Sequence, residues 1–160
     1  MRISDVLPVE LVVPAVAGRT KDEVLDALVG HMAAFHPSLD LDRLATALRE
    51  RERQMSTALV DGVAIPHARV AGLGQVVAAF ARSDAGVACD SHDGRPTHLF
   101  FVLAAPADAP GTHLKLLATV SRLLSDVRCR ARLMAAADAP AVLAALCEEE
   151  QRLQPSARAA

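Results

Sequence analysis

The run His98-Leu-Phe-Phe-Val-Leu-Ala104 concentrates large apolar side chains as no other stretch of the chain does. It shows no alternation of polar and apolar positions. That pattern predicts a strand buried on both faces, the kind found in the middle of a sheet covered by helices.

Working outward, Gln75–Ala81 (Val76, Val77, Ala78, Ala79, Phe80) reads as a second core strand, and Asp84–Pro96 between the two reads as a turn-rich excursion. Upstream lies Ser56-Thr-Ala-Leu-Val-Asp-Gly-Val-Ala-Ile-Pro-His-Ala-Arg69. Asp61-Gly62 is a turn signal, Val63–Ile65 a short β-branched strand, and Pro66 its end. Downstream, Thr112 opens a helix with the stripe Leu116, Leu117, Val120, Leu124; two more helices follow at 127–136 and 140–150, the last capped by Asp138. Toward the N-terminus, Leu11–Val13 is a strand stopped by Pro14. Thr20-Lys-Asp-Glu23 is a capping box for a helix carrying Val24, Leu28, Met32 and Phe35. Ser38–Asp40 caps a second helix with Leu41, Leu44, Ala45 and Leu48 on one face. This order predicts an α/β fold with a central sheet covered by helices, one domain over residues 1–150 and a disordered tail over 151–160.

Composition narrows the function. The 160 residues are 52% hydrophobic but only 2% aromatic, with no Trp or Tyr, so the core must be Leu, Val and Ala. Missing aromatics argue against stacking on RNA, single strands or sugars. A net charge of −2 offers no general attraction for nucleic acid. No run of about 20 apolar residues spans a membrane, and charges with Pro8 in residues 1–10 do not suit a signal peptide. A cytosolic protein is expected. Cys89, Cys129 and Cys147 are too widely spaced for a disulfide framework or a cysteine zinc site and read as small apolar side chains.

The chemistry gathers around His67. Pro66 fixes φ and stiffens the approach to the imidazole. His113 extends the apolar stripe of its helix by one turn and meets the rim of the sheet. Arg51 lies where the stripe of the second helix reaches that rim, whereas Arg49, Glu50, Glu52 and Arg53 read as solvated charges. Thr57 adds a hydroxyl nearby in sequence. Two imidazoles, a guanidinium and a helix N-terminus suit phosphoryl transfer: one ring attacks, and the other donors neutralise the phosphoryl oxygens. A metal site drawn from His67, His92, His98 and His113, with Cys89 or Asp90, is the competing reading, but Cys89-x-x-His92 has no second close pair.

These same residues resemble a known family. Arg51-Glu52-x-x-x-Ser56-Thr57 with Gly62-Val-Ala-Ile-Pro-His67, the lead Asp93-Gly94-Arg95-Pro96-x-His98-Leu99-Phe100, and His113-Leu114-x-x-Leu117 with Ser121-x-Leu123-Leu124 resemble the mannitol/fructose-type IIA domains of the bacterial phosphotransferase system, including stand-alone nitrogen-regulatory IIA proteins. The resemblance runs from about Lys21 to Leu146. It implies a mixed sheet with helices on both faces and a phosphocarrier that accepts a phosphoryl group on His67 from HPr or an HPr-like protein. His113 and Arg51 would assist, with no metal or organic cofactor. The partners implied are that donor and either a IIB component, in sugar uptake, or regulated target proteins. A IIA-type module that only binds partners is a further alternative. Ala58 and Val60 stand where the family usually has glycines, so side chains are expected to narrow the approach or redirect the loop.

Overall fold

The computed structural model describes residues 1–154. Strand β5 (Thr97–Pro106) carries the expected central run and is buried at every position but His98, which is half-buried. It pairs antiparallel with β4 (Val77–Val87), and β4 pairs parallel with the two-residue β1 (Val12–Val13). On its other side β5 pairs parallel with β2 (Val63–Ala64) and β3 (His67–Val70). The sheet is therefore mixed and five-stranded. At its centre Phe80 faces Phe101 in register, the rings edge to face with centroids 6.3 Å apart. Such a pair adds about 1 kcal/mol beyond the apolar area it buries.

Among the described residues six α-helices cover the sheet: α1 (Ile3–Val6), α2 (Lys21–Phe35), α3 (Leu41–Gln54), α4 (Pro110–Ser125), α5 (Val127–Ala135) and α6 (Ala139–Leu153). Helices α2 and α3 pack on each other and against β4 and β3. Helices α4, α5 and α6 pack mutually and reach β5 and β1. The caps form as their sequences dictate: Thr20, Asp40 and Asp138 accept from the backbone N–H three residues on. Glu23 completes its box one residue further back than expected, accepting the N–H of Arg19 at 2.7 Å.

Four boundaries differ from the sequence reading. Strand β4 continues to Val87 through Ser83-Asp84, a stretch whose polar residues disguise it as a turn; the register slips between Arg82 and Val87. Strand β2 does stop before Pro66, at Ala64, but pairing resumes at His67 in β3, a strand the sequence did not signal. The register of β2 against β5 (Val63↔Leu99) continues unchanged through β3 (Val70↔Pro106), so the missing N–H of Pro66 removes one rung and the chain runs on. Helix α4 begins at Pro110 rather than Thr112, because proline at the first helical position needs no N–H partner. Helix α6 runs to Leu153, taking in the start of the expected tail; the rest of that tail, 155–160, lies outside the described residues.

Two polar devices hold the helices to the sheet. Arg82, 7% exposed, donates from Nη1 to the carbonyls of Leu133 (2.8 Å), Met134 (3.4 Å) and Ala136 (2.7 Å), and from Nε to that of Pro14 (3.0 Å). It thereby satisfies the orphan carbonyls at the end of α5. Buried Glu150 accepts the N–H of Ile3 at 3.2 Å, clasping α1 to α6.

Candidate active site

His67 is the first residue of β3, just past the proline break, and is half-buried. The carbonyls of Gly62, Pro66 and Val70 point toward β5, accepting from Leu99, Leu103 and Ala107, so by alternation the carbonyl of Ile65 points to the outer edge. There it takes the ring of its own neighbour-but-one: Nδ1 of His67 lies 2.6 Å from the Ile65 oxygen. A carbonyl only accepts, so Nδ1 carries the proton and Nε2 presents the lone pair.

His113 stands in the first turn of α4 with its ring centroid 5.5 Å from that of His67 and the planes inclined by 44°. Its Nδ1 is buried and has no partner among the described residues. With no acceptor for a proton there, the neutral ring carries it on Nε2, as a free donor beside His67. Ahead of His113, Gly111 and Thr112 hold N–H groups of the first helical turn, which lack carbonyl partners in the helix. Arg51, half-buried in the last turn of α3, donates from Nη1 to the Met55 carbonyl at 2.9 Å, and its charge reaches His67.

Burial lowers the pKa of His67; the Arg51 charge pushes the same way, while the Ile65 carbonyl and Glu52 oppose it. Burial also lowers that of His113, reinforced by the charges of His67 and Arg69. A depressed imidazole pKa keeps the ring neutral at pH 7 and charges it only at pH values below the ordinary 6.5. A reaction that uses the neutral His67 ring is therefore expected to fall on acidification with a midpoint below pH 6.5. A single-turnover pH–rate profile checks this, and a midpoint above 6.5 would contradict it.

Thr57 and Glu52 take roles the sequence did not announce. Thr57 is buried and gives Glu52 both its N–H, 2.9 Å from Oε1, and its hydroxyl, 2.5 Å from Oε2. That hydroxyl proton is committed, so Thr57 organises the loop from inside. Glu52, expected in solvent, has a side chain only 9% exposed and meets Lys21 Nζ at 2.9 Å. Burial alone would raise the Glu52 pKa, but hydrogen bonds from Thr57 and Lys21 outweigh it and leave the carboxyl below its ordinary range. No periodicity marks this residue; its partners lie five and 31 positions away. Ala58 and Val60 sit without strain: neither has a positive φ, Ala58 bridges to Ala64, and Val60 is half exposed. Gly62 does need its glycine, with φ +76° and a virtual Cβ 3.3 Å from the His98 ring.

The metal reading gains no geometry. Among the described residues no group of three or more His, Cys, Asp and Glu side chains is placed to hold an ion, and Nδ1 of His98 meets the Ser83 carbonyl at 2.9 Å.

Residues 5–149 match the model of the family described as phosphoenolpyruvate-dependent sugar phosphotransferase system, EIIA 2. The chain belongs to this family. A nitrogen regulatory protein of Bradyrhizobium diazoefficiens is 35% identical to this EIIA 2 chain over 146 residues, covering 91% of it and 95% of the relative. The fructose-specific EIIABC component of Bacillus subtilis is 34% identical over 89% of this chain, which spans only 22% of that longer protein. The crystal structure of nitrogen regulatory protein IIA-Ntr from Neisseria meningitidis superposes with a TM-score of 0.85 at 33% identity, over 90% of this chain and 98% of the other. By its family, this EIIA 2 chain is a phosphotransferase-system component. Among its described residues no helix is long and apolar enough to cross a membrane.

Proposed function

We propose that the chain is a phosphocarrier whose Nε2 of His67 takes a phosphoryl group from the phosphohistidine of HPr or an HPr-like protein. The observation that carries this reading is the paired rings, 5.5 Å apart, with the proton of His67 drawn to the Ile65 carbonyl. The Nε2 lone pair forms the new P–N bond as the donor's P–N bond breaks and returns its electron pair to the donor imidazole. Nδ1–H stays protonated throughout. His113 Nε2–H, the Arg51 guanidinium and the amide N–H groups at the start of α4 neutralise the phosphoryl oxygens.

The nitrogen-regulatory version, in which the phosphorylation state of His67 governs target proteins, is supported by near full-length likeness to a nitrogen regulatory protein and to IIA-Ntr. The sugar-uptake version is supported by likeness to one part of a fructose-specific EIIABC component. The unstrained backbone at Ala58 and Val60 leaves the binding-only version without its physical motive. Intact mass after incubation with phosphoenolpyruvate, an enzyme I and HPr-like donors tests the shared core: one acid-labile phosphoryl group is expected. Adding a fructose-type IIB then separates the two versions, since only a sugar-uptake subunit discharges onto it. His113→Ala is expected to slow acceptance about ten- to a thousandfold, the effect of losing one charge-stabilising donor, as read by quenched-flow single turnover.

A further inference from the structure

A continuous set of contacts leads from buried Glu52 to the ring of His67. Lys21 fixes the carboxylate at 2.9 Å, and Thr57 gives it two hydrogen bonds. The carbonyl of Thr57 accepts the N–H of Ile65 at 3.1 Å, and the carbonyl of Ile65 holds Nδ1 of His67 at 2.6 Å. One step along, the Ala58–Ala64 bridge and the Leu59 N–H, 2.7 Å from the Val63 carbonyl, seat the same loop on the outer edge of β2. Among the described residues no loop continues that pairing past Pro66: the register on β5 turns the Ile65 carbonyl outward, and the Thr57 carbonyl, in a loop held by Glu52, fixes the N–H of the same residue from the outer edge.

We propose that Glu52 is a positioning residue for His67: by anchoring Thr57, it orients the Ile65 carbonyl that keeps the His67 proton on Nδ1 and so leaves Nε2 as the phosphoryl acceptor. The inference deepens the phosphocarrier reading and rests on it for its catalytic consequence. Histidine free of such contacts prefers its proton on Nε2, which would leave no lone pair at that nitrogen. The carboxylate itself touches neither the ring nor an incoming phosphoryl group. Its effect should therefore appear in the acceptor's tautomer and in the rate of transfer, and not in the affinity for the donor.

The test compares wild type with Glu52→Gln, Thr57→Val and Thr57→Ser, using long-range 1H–15N correlation of the His67 ring in the unphosphorylated protein. Wild type and Thr57→Ser are expected to show the Nδ1–H tautomer; Glu52→Gln and Thr57→Val are expected to shift toward Nε2–H. Single-turnover acceptance from phosphorylated HPr should fall roughly 10- to 100-fold in Glu52→Gln, with an unchanged half-saturating donor concentration. A wild-type tautomer together with a wild-type rate in both Glu52→Gln and Thr57→Val overturns the proposal. Should Glu52→Gln fail to fold, Lys21→Met loosens the same carboxylate and is expected to shift the ring in the same direction; an unmoved ring there also overturns it. If even wild type takes no phosphoryl group from any donor, the phosphocarrier reading fails. The tautomer comparison, made without phosphate, still decides the role of Glu52.

Discussion

His67→Ala is expected to abolish phosphoryl acceptance entirely while leaving the fold in place. The loss should be complete because the new P–N bond has no other atom to form on. The other ring in the site, His113, is buried at Nδ1 and presents an N–H rather than a lone pair at Nε2. Stability should change little for three reasons. The ring is only half-buried, its one intramolecular partner is a carbonyl on the outer edge of the sheet, and the alanine fits a β3 position whose register is set by the backbone. One hydrogen bond of this type is worth about 1 kcal/mol net. Intact mass after treatment with the full donor chain, beside a urea melt of the same sample, checks both halves. A phosphoryl group retained on the variant would move the acceptor to another residue and undo the assignment of His67.

The second large effect concerns stability. Arg82→Ala is expected to destabilise the protein by about 3–5 kcal/mol, since removing the guanidinium orphans several backbone carbonyls, each costing about 1–3 kcal/mol when buried and unpaired. Against a typical total of about 5–15 kcal/mol, that brings the protein close to its folding threshold. The carbonyls belong to Pro14, beside β1, and to the end of α5, so one side chain ties two helical and sheet elements that share no backbone pairing. Arg82→Lys should recover only part of the loss, because an ammonium cannot reproduce the fork that reaches both directions at once. Urea midpoints of the two variants against wild type are the measurement, and an Arg82→Ala midpoint equal to wild type would show the network to be dispensable.

What could be read from the sequence divides along physical lines. The run at 98–104, the caps at Thr20, Asp40 and Asp138, and the stripe of α4 are local signals: neighbouring residues determine them, and the fold class followed. The proximity of His67 and His113 was legible for the same reason, since each sits where a regular element meets the rim. Glu52 was not legible. A carboxylate among four other charges has the same composition whether it faces water or a buried threonine, and the partners that decide it come from the start of α2 and from beyond the end of α3. Arg82 was missed likewise, because its acceptors are main-chain atoms some fifty residues away and carry no side-chain signature. The strand hidden in Ser83–Val87 and the continuation past Pro66 depend on a neighbouring strand, β5, that holds polar or proline-interrupted chain in register.

The clasp between Ile3 and Glu150 joins residues 147 positions apart. On a ribosome the chain emerges from its N-terminal end, so α1 waits for the late helix α6 that holds it, while β1 can already pair with β4. The site-bearing elements, β2, β3 and β5 with the start of α4, can meet earlier, while the apolar face of β1 still lacks the last helix that covers it. The period of greatest exposure to aggregation therefore falls after the site has formed and before α6 arrives, and a pause in translation ahead of α6 would prolong it.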